Sequence, residues 1–172
     1  MIQTPPRTIL EVFESLPEGT LAEVINNQLV MSPAPTPKHQ LLVKNIAFEL
    51  EKHIKATNLG EVLFAPVDVQ LNDANVFQPD IIFIRKERMN IIQDKIEGAP
   101  DLVVEVLSPG SEKHDTSSKK EAYEKSGVNE YWIVDPKTKQ VTGYQLKENR
   151  YTEIPSETGT ITSILLSTTI RF

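Results

Sequence analysis

Apolar residues recur along this chain with two different periods. From Lys38 to Thr57 they fall at Leu42, Val43, Ile46, Leu50 and Ile54, the spacing of one face of a long helix, and Gly60 lies just beyond its end. A shorter helical stripe (Ile9, Val12, Phe13, Leu16) predicts a helix from Thr8 to Leu16, stopped by Pro17-Glu18-Gly19. Leu21–Ile25 and Gln28–Ser32 predict a hairpin turning at Asn26-Asn27, because asparagine tolerates the left-handed turn positions. Further strands are expected at Glu61–Phe64, Val67–Leu71, Asp80–Ile84, Leu102–Leu107, Glu130–Val134 and Val141–Leu146, then near Arg150–Ile154 and at the C-terminus. A second helix is expected from Asp115 to Ser126, ending at Gly127. This order predicts one mixed α/β (α+β) domain with a central mixed sheet flanked by helices.

Two acids interrupt the most apolar strands. Asp80 opens Asp80-Ile81-Ile82-Phe83-Ile84, and Glu105 lies inside Leu102-Val103-Val104-Glu105-Val106-Leu107. A charge there is costly unless it is paired. If the two strands pair, Asp80 at the mouth of one and Glu105 in the other converge, and a divalent metal is a natural partner for the two carboxylates. A structural ion pair with Lys or Arg is the other solution. Glu23 alternates with Leu21 and Ile25 on an apolar strand face, so it is either a third inward acid or a strand-end side chain in water. Asp101 follows a second Pro-Asp step but is too close to Glu105, and is expected to begin the strand or accept a turn hydrogen bond.

With 172 residues, the chain suits one domain with a real core. A net charge of −6 argues against unspecific coating of nucleic acid, although not against a local basic groove. The absence of cysteine excludes disulfides, thiolate zinc sites and cysteine nucleophiles, and agrees with a cytoplasmic setting. Glu11 and Glu14 leave no room for a signal-peptide core, and no apolar run reaches membrane-span length. There is no glycine-rich phosphate loop and no nucleophile elbow.

Asp80, directly after Pro79 and 25 residues before Glu105, resembles the PD-(D/E)xK phosphodiesterase pattern. The longer pattern is more specific. Glu23 precedes a hairpin, Pro33-Ala34-Pro35 and His39. Gln78-Pro79-Asp80 and the run Pro100 to Pro109 come next, then Asp115, Lys119, Tyr123 and Gly127 to Pro136. Nearly the whole chain thereby resembles the bacterial Uma-two family of predicted restriction endonucleases. The resemblance implies a restriction-endonuclease-like fold and a Mg²⁺-dependent (or Mn²⁺-dependent) DNA endonuclease. In that reading Asp80 and Glu105 are metal ligands and Glu23 is a third carboxylate.

The pattern departs from the superfamily at one place. A lysine is expected two residues after the second acid, on the same strand face, and here that position is Leu107. Lys119 matches the family's lysine on the following helix, and the resemblance assigns it the orientation of the attacking water. Asp115, Lys119 and Tyr123 share one helical stripe, which an ordinary surface Asp–Lys pair would also explain. His39 faces the sheet from the first turn of its helix; it is a supporting residue or is held within the proline-rich turn. His39 and His53 lie roughly 21 Å apart on that helix and cannot share an ion. His53 and His114 are expected in solvent, Trp132 in the core, and Arg85-Lys86-Glu87-Arg88 either in solvent or on a phosphate backbone. Two rival readings remain: a decayed nuclease scaffold acting as a binding or regulatory module, and a nuclease that needs a partner protein. A double-strand cut would call for a homodimer.

Overall fold

The computed structural model describes residues 5–172. Its centre is a six-stranded mixed sheet built from β3 (Gly60–Phe64), β6 (Ile81–Arg85), β8 (Leu102–Val106), β9 (Glu130–Val134), β10 (Val141–Lys147) and β11 (Arg150–Ile154). The spatial order is β11-β10-β9-β8-β6-β3, and the β8–β9 pair is parallel while its other neighbours are antiparallel. β8 and β9 are buried along their whole length, as strands covered on both faces must be.

Alternation along these strands divides the core in two. Ile81, Phe83, Leu102, Val104, Val106, Trp132 and Val134 face helix α2 (Pro37–Thr57) and a C-terminal hairpin, β12 (Thr160–Ser163) with β13 (Thr168–Arg171). Ile82, Ile84, Val103, Tyr131 and Ile133 face helix α3 (Lys119–Ser126) and a second sheet. That second sheet, in the order β2-β1-β5-β4-β7, holds β1 (Ala22–Ile25), β2 (Gln28–Met31), β4 (Val69–Asn72), β5 (Asn75–Phe77) and β7 (Ile96–Glu97). The predicted hairpin forms with Asn26 and Asn27 at φ 49° and 61°. Helix α1 covers Ile9–Glu14, capped by the Thr8 side chain.

The sequence pattern did not predict β5, β7 or the second sheet. β5 and β7 have three and two residues, too short for a period to show. The polar segment after β6 is a short helical turn, Lys86–Ile91. Arg85 and Arg88 there are part-exposed, and both pair with the buried Asp101, at 3.5 and 2.9 Å. Asp101, which directly precedes β8, also accepts the Arg85 main-chain N–H at 3.0 Å, a bond across to β6 rather than within a turn. His53 is half-buried rather than solvated, with its Nε2 3.2 Å from the Leu166 carbonyl. Trp132 is fully buried, as its strand requires.

Candidate active site

β6 and β8 run antiparallel with Ile81 opposite Val104, so the next residues outward, Asp80 and Glu105, oppose each other at the sheet's end. Their main chains tie the pair. The Asp80 carboxylate accepts the Val106 N–H at 2.8 Å, and the Asp80 N–H points to Glu105 Oε2 at 3.4 Å. The side chain of Asp80 is 14% exposed, whereas Glu105 is buried.

His39 reaches this end from the first turn of α2, where Thr36 caps the helix. Its Nε2 lies 2.8 Å from the Val106 carbonyl and 3.3 Å from Asp80 Oδ2. The imidazole therefore joins the sheet's end and not the proline-rich turn. The hydrogen bond to Asp80 raises its pKa above the ordinary histidine value, against the opposing effect of burial.

Glu105 points to the α3 side, as strand alternation from Val103 and Leu107 predicts. The chain enters α3 through a widened π-type turn, His114–Ser118, which buries Asp115 beside Lys119. The Lys119 ammonium stands 2.8 Å from Glu23 Oε1, 3.1 Å from Glu105 Oε1 and 3.3 Å from Asp115 Oδ1. Glu23 thus takes the inward orientation on β1, and its Oε1 also accepts the Gln78 N–H at 2.7 Å. Tyr123 hydroxyl donates to Glu105 Oε1 at 3.0 Å, with its ring packed on Phe77 and Tyr131.

Charge dominates this cluster. Burial pushes the Glu105 pKa well above the ordinary carboxylate value and raises that of Asp115, with Lys119 opposing it in both, and Asp115's two carboxylate oxygens are buried, with the Lys119 ammonium 3.3 Å from Oδ1. Burial pulls Lys119 down, but Glu105, Glu23 and Asp115 together carry it well above the usual lysine value. Among the described residues, Glu23, Asp80, Glu105 and Asp115 face only one lysine and one histidine, so acids outnumber cations.

All seven residues singled out in the sequence (Glu23, His39, Asp80, Glu105, Asp115, Lys119 and Tyr123) meet around this end of the sheet. Sequence reasoning missed Gln78, whose amide donates to Thr20 and Asp68 and whose main chain holds Glu23. It also missed Tyr131, which donates to the Asp115 carbonyl at 3.0 Å, and the carbonyl of Val106. Main-chain groups leave no trace in residue type. The signal for Tyr131 was a hydroxyl inside a fully buried strand, which needs an acceptor.

Among the described residues, no three His, Cys, Asp or Glu side chains are arranged to cage a metal ion. The donors at the mouth fit a hard cation held in another way. Two carboxylates and a nearby carbonyl suit Mg²⁺, which usually keeps several waters and completes its shell with substrate phosphate.

Residues 10–169 match the family model Uma2, described as "Putative restriction endonuclease". The chain belongs to the Uma2 family. Its fold is also similar to a crystal structure titled as "a putative nuclease belonging to DUF820" from Anabaena variabilis ATCC 29413. The TM-score is 0.77 at 17% identity, covering 94% of this chain and 92% of the other. No curated protein matched the chain. The Uma2 match agrees with the resemblance read from Glu23 through Pro136, and the structural neighbour agrees with the fold class. Among the described residues no helix is long and apolar enough to cross a membrane.

Proposed function

We propose that this Uma2 protein is a cytoplasmic, metal-dependent endonuclease that hydrolyses phosphodiester bonds in DNA. The observation that carries the reading is the opposed pair Asp80 and Glu105 at the end of β6 and β8, with the Val106 carbonyl beside them. Asp80 and Glu105 would hold Mg²⁺ or Mn²⁺. Bound there, the cation would polarise a phosphate oxygen and acidify a water. Asp80 is the acid that reaches the surface, so phosphate approaches from its side. His39 fixes the Asp80 carboxylate against the main chain of Val106. Glu23 completes the acid set from the second sheet. A double-strand cut would take two copies, one for each strand.

A second reading, a scaffold that binds without cutting, is favoured by one observation: Glu105 already has a cation beside it in Lys119. One experiment separates them. Purified protein is incubated with supercoiled, linear and single-stranded DNA and with RNA, under Mg²⁺, Mn²⁺ or EDTA, beside a melting curve with and without Mn²⁺. Metal-dependent DNA cleavage is expected. No cleavage together with no rise of melting temperature on Mn²⁺ would favour the scaffold. A metal response without cleavage would point to a missing partner protein.

A further inference from the structure

Lys119 stands in an unusual position for a residue that orients water. It is 3% exposed, and carboxylates from three separate elements surround its ammonium: Glu23 on β1, Glu105 on β8 and Asp115 in the π-type turn. Beyond these, the ring of Phe77 lies 5.6 Å from the nitrogen. An ammonium has three protons to donate, and three acids already compete for them. The surface-facing acid, Asp80, is not among its partners.

We infer that Lys119 is a positioning residue, an internal counter-ion that joins the two sheets and fixes Glu105, rather than a group that touches the attacking water or the phosphate. This rests on the nuclease reading for what Glu105 does, but not for the charge clamp itself. Asp115 and Lys119, four residues apart, lie side by side in the interior, where each offsets the other's burial cost. The clamp also explains why Leu107 can be apolar: the strand position that faces Glu105's side carries no charge because α3 supplies it from beneath. Glu105 Oε1 is held by Lys119 and Tyr123, so Oε2, on the Asp80 side, is the oxygen left for work at the mouth.

The charge of Lys119 and its chemistry can be separated by substitution. With Lys119 charged and the three acids ionised, the cluster carries a net charge of −2; Lys119→Met makes it −3, and adding Asp115→Asn restores −2. Tyr123, the other donor to Glu105 Oε1, is left unchanged in all of these variants.

The test has two arms. In the first, the Lys119 ammonium is observed by ¹⁵N–¹H NMR at neutral pH in metal-free protein. A caged ammonium exchanges its protons slowly, so a persistent signal is expected, and it should move in Glu23→Gln, Glu105→Gln and Asp115→Asn. Exchange as fast as that of Lys113 or Lys120 would overturn the inference. In the second arm, Lys119→Met is expected to lose at least about 100-fold in cleavage, as a displaced catalytic carboxylate would cause. Lys119→Met with Asp115→Asn should regain a cooperative melt and come within about tenfold of wild type. A doubly substituted protein that melts normally but stays inactive would overturn the inference, because the amine itself would then be needed in the reaction. If wild-type protein cuts nothing, the outcome bears on the nuclease reading and not on the clamp, which the first arm alone then decides.

Discussion

Asp80 and Glu105 hold each other through main-chain hydrogen bonds. Asp80 accepts the N–H of the residue after Glu105, and Glu105 faces the N–H of Asp80. Turning either carboxylate would break its hydrogen bond to the neighbouring strand, so the pairing of β6 and β8 positions both acids. Lys119 fixes the far side of Glu105 and His39 the near side of Asp80.

Removing the buried cation should cost more than removing any one acid. Lys119→Met leaves three buried carboxylates without their common counter-ion, and a loss of about 3–5 kcal/mol is expected. Glu23→Gln should cost less, since Glu105 and Asp115 still pair with the lysine. Urea unfolding of both variants checks this order, and an equal loss in the two would contradict it.

The acid excess also sets a pH dependence. Glu105 and Asp115 have raised pKa values in the folded chain, so the folded state binds more protons than the unfolded state above about pH 4. Metal-free protein should therefore lose stability as pH rises from there through their folded pKa values. His39, also raised, adds a loss of the same sign as pH rises above about 6.5. Melting temperatures in EDTA between pH 5 and 8 should fall more steeply in wild type than in Glu105→Gln/Asp115→Asn. Equal slopes would show that these two acids are not the source.

A buried acid away from the site has a different duty. Glu130 is fully buried and accepts from Trp132 Nε1 at 3.1 Å, Ser163 Oγ at 2.7 Å and the Leu165 N–H at 2.6 Å. It ties the C-terminal hairpin to the central sheet. Glu130→Ala strands three donors, at about 1–3 kcal/mol each where water cannot reach them. Hydrogen exchange should accelerate first in β12 and β13; unchanged protection there would refute the anchoring role.

Gly143 is required by the same tryptophan. It lies opposite Trp132 in the β9–β10 register, and a Cβ there would come within 2.2 Å of the indole ring. The ring cannot move aside while its Nε1 is bonded to Glu130. Gly143→Ala should destabilise by about 1–3 kcal/mol, read from the urea midpoint, without changing the response to metal.

The middle of the central sheet was legible because β6, β8 and β9 are apolar on both faces, and helix α2 because it carries a clean period. The inward acids were legible for the opposite reason: Glu23, Asp80 and Glu105 violate that pattern, and a violated pattern needs a partner. The same test applied to Glu130 would have found it, since it opens an equally apolar strand. The second sheet was not legible, because its short strands are held by pairing across distant segments, such as Val24 with Val76. Nor could sequence reveal how deeply Lys119 sits: a helical Asp–Lys stripe reads identically on a surface, and only the packing of α3 between two sheets buries it.

The most direct test of the central claim is the cleavage of plasmid DNA by Asp80→Ala in Mg²⁺ or Mn²⁺, with its fold verified by circular dichroism. The carboxylate pair predicts that the folded variant loses metal-dependent cleavage entirely, as Glu105→Ala should. Cleavage by a folded Asp80→Ala protein at the wild-type rate would contradict the assignment of this site.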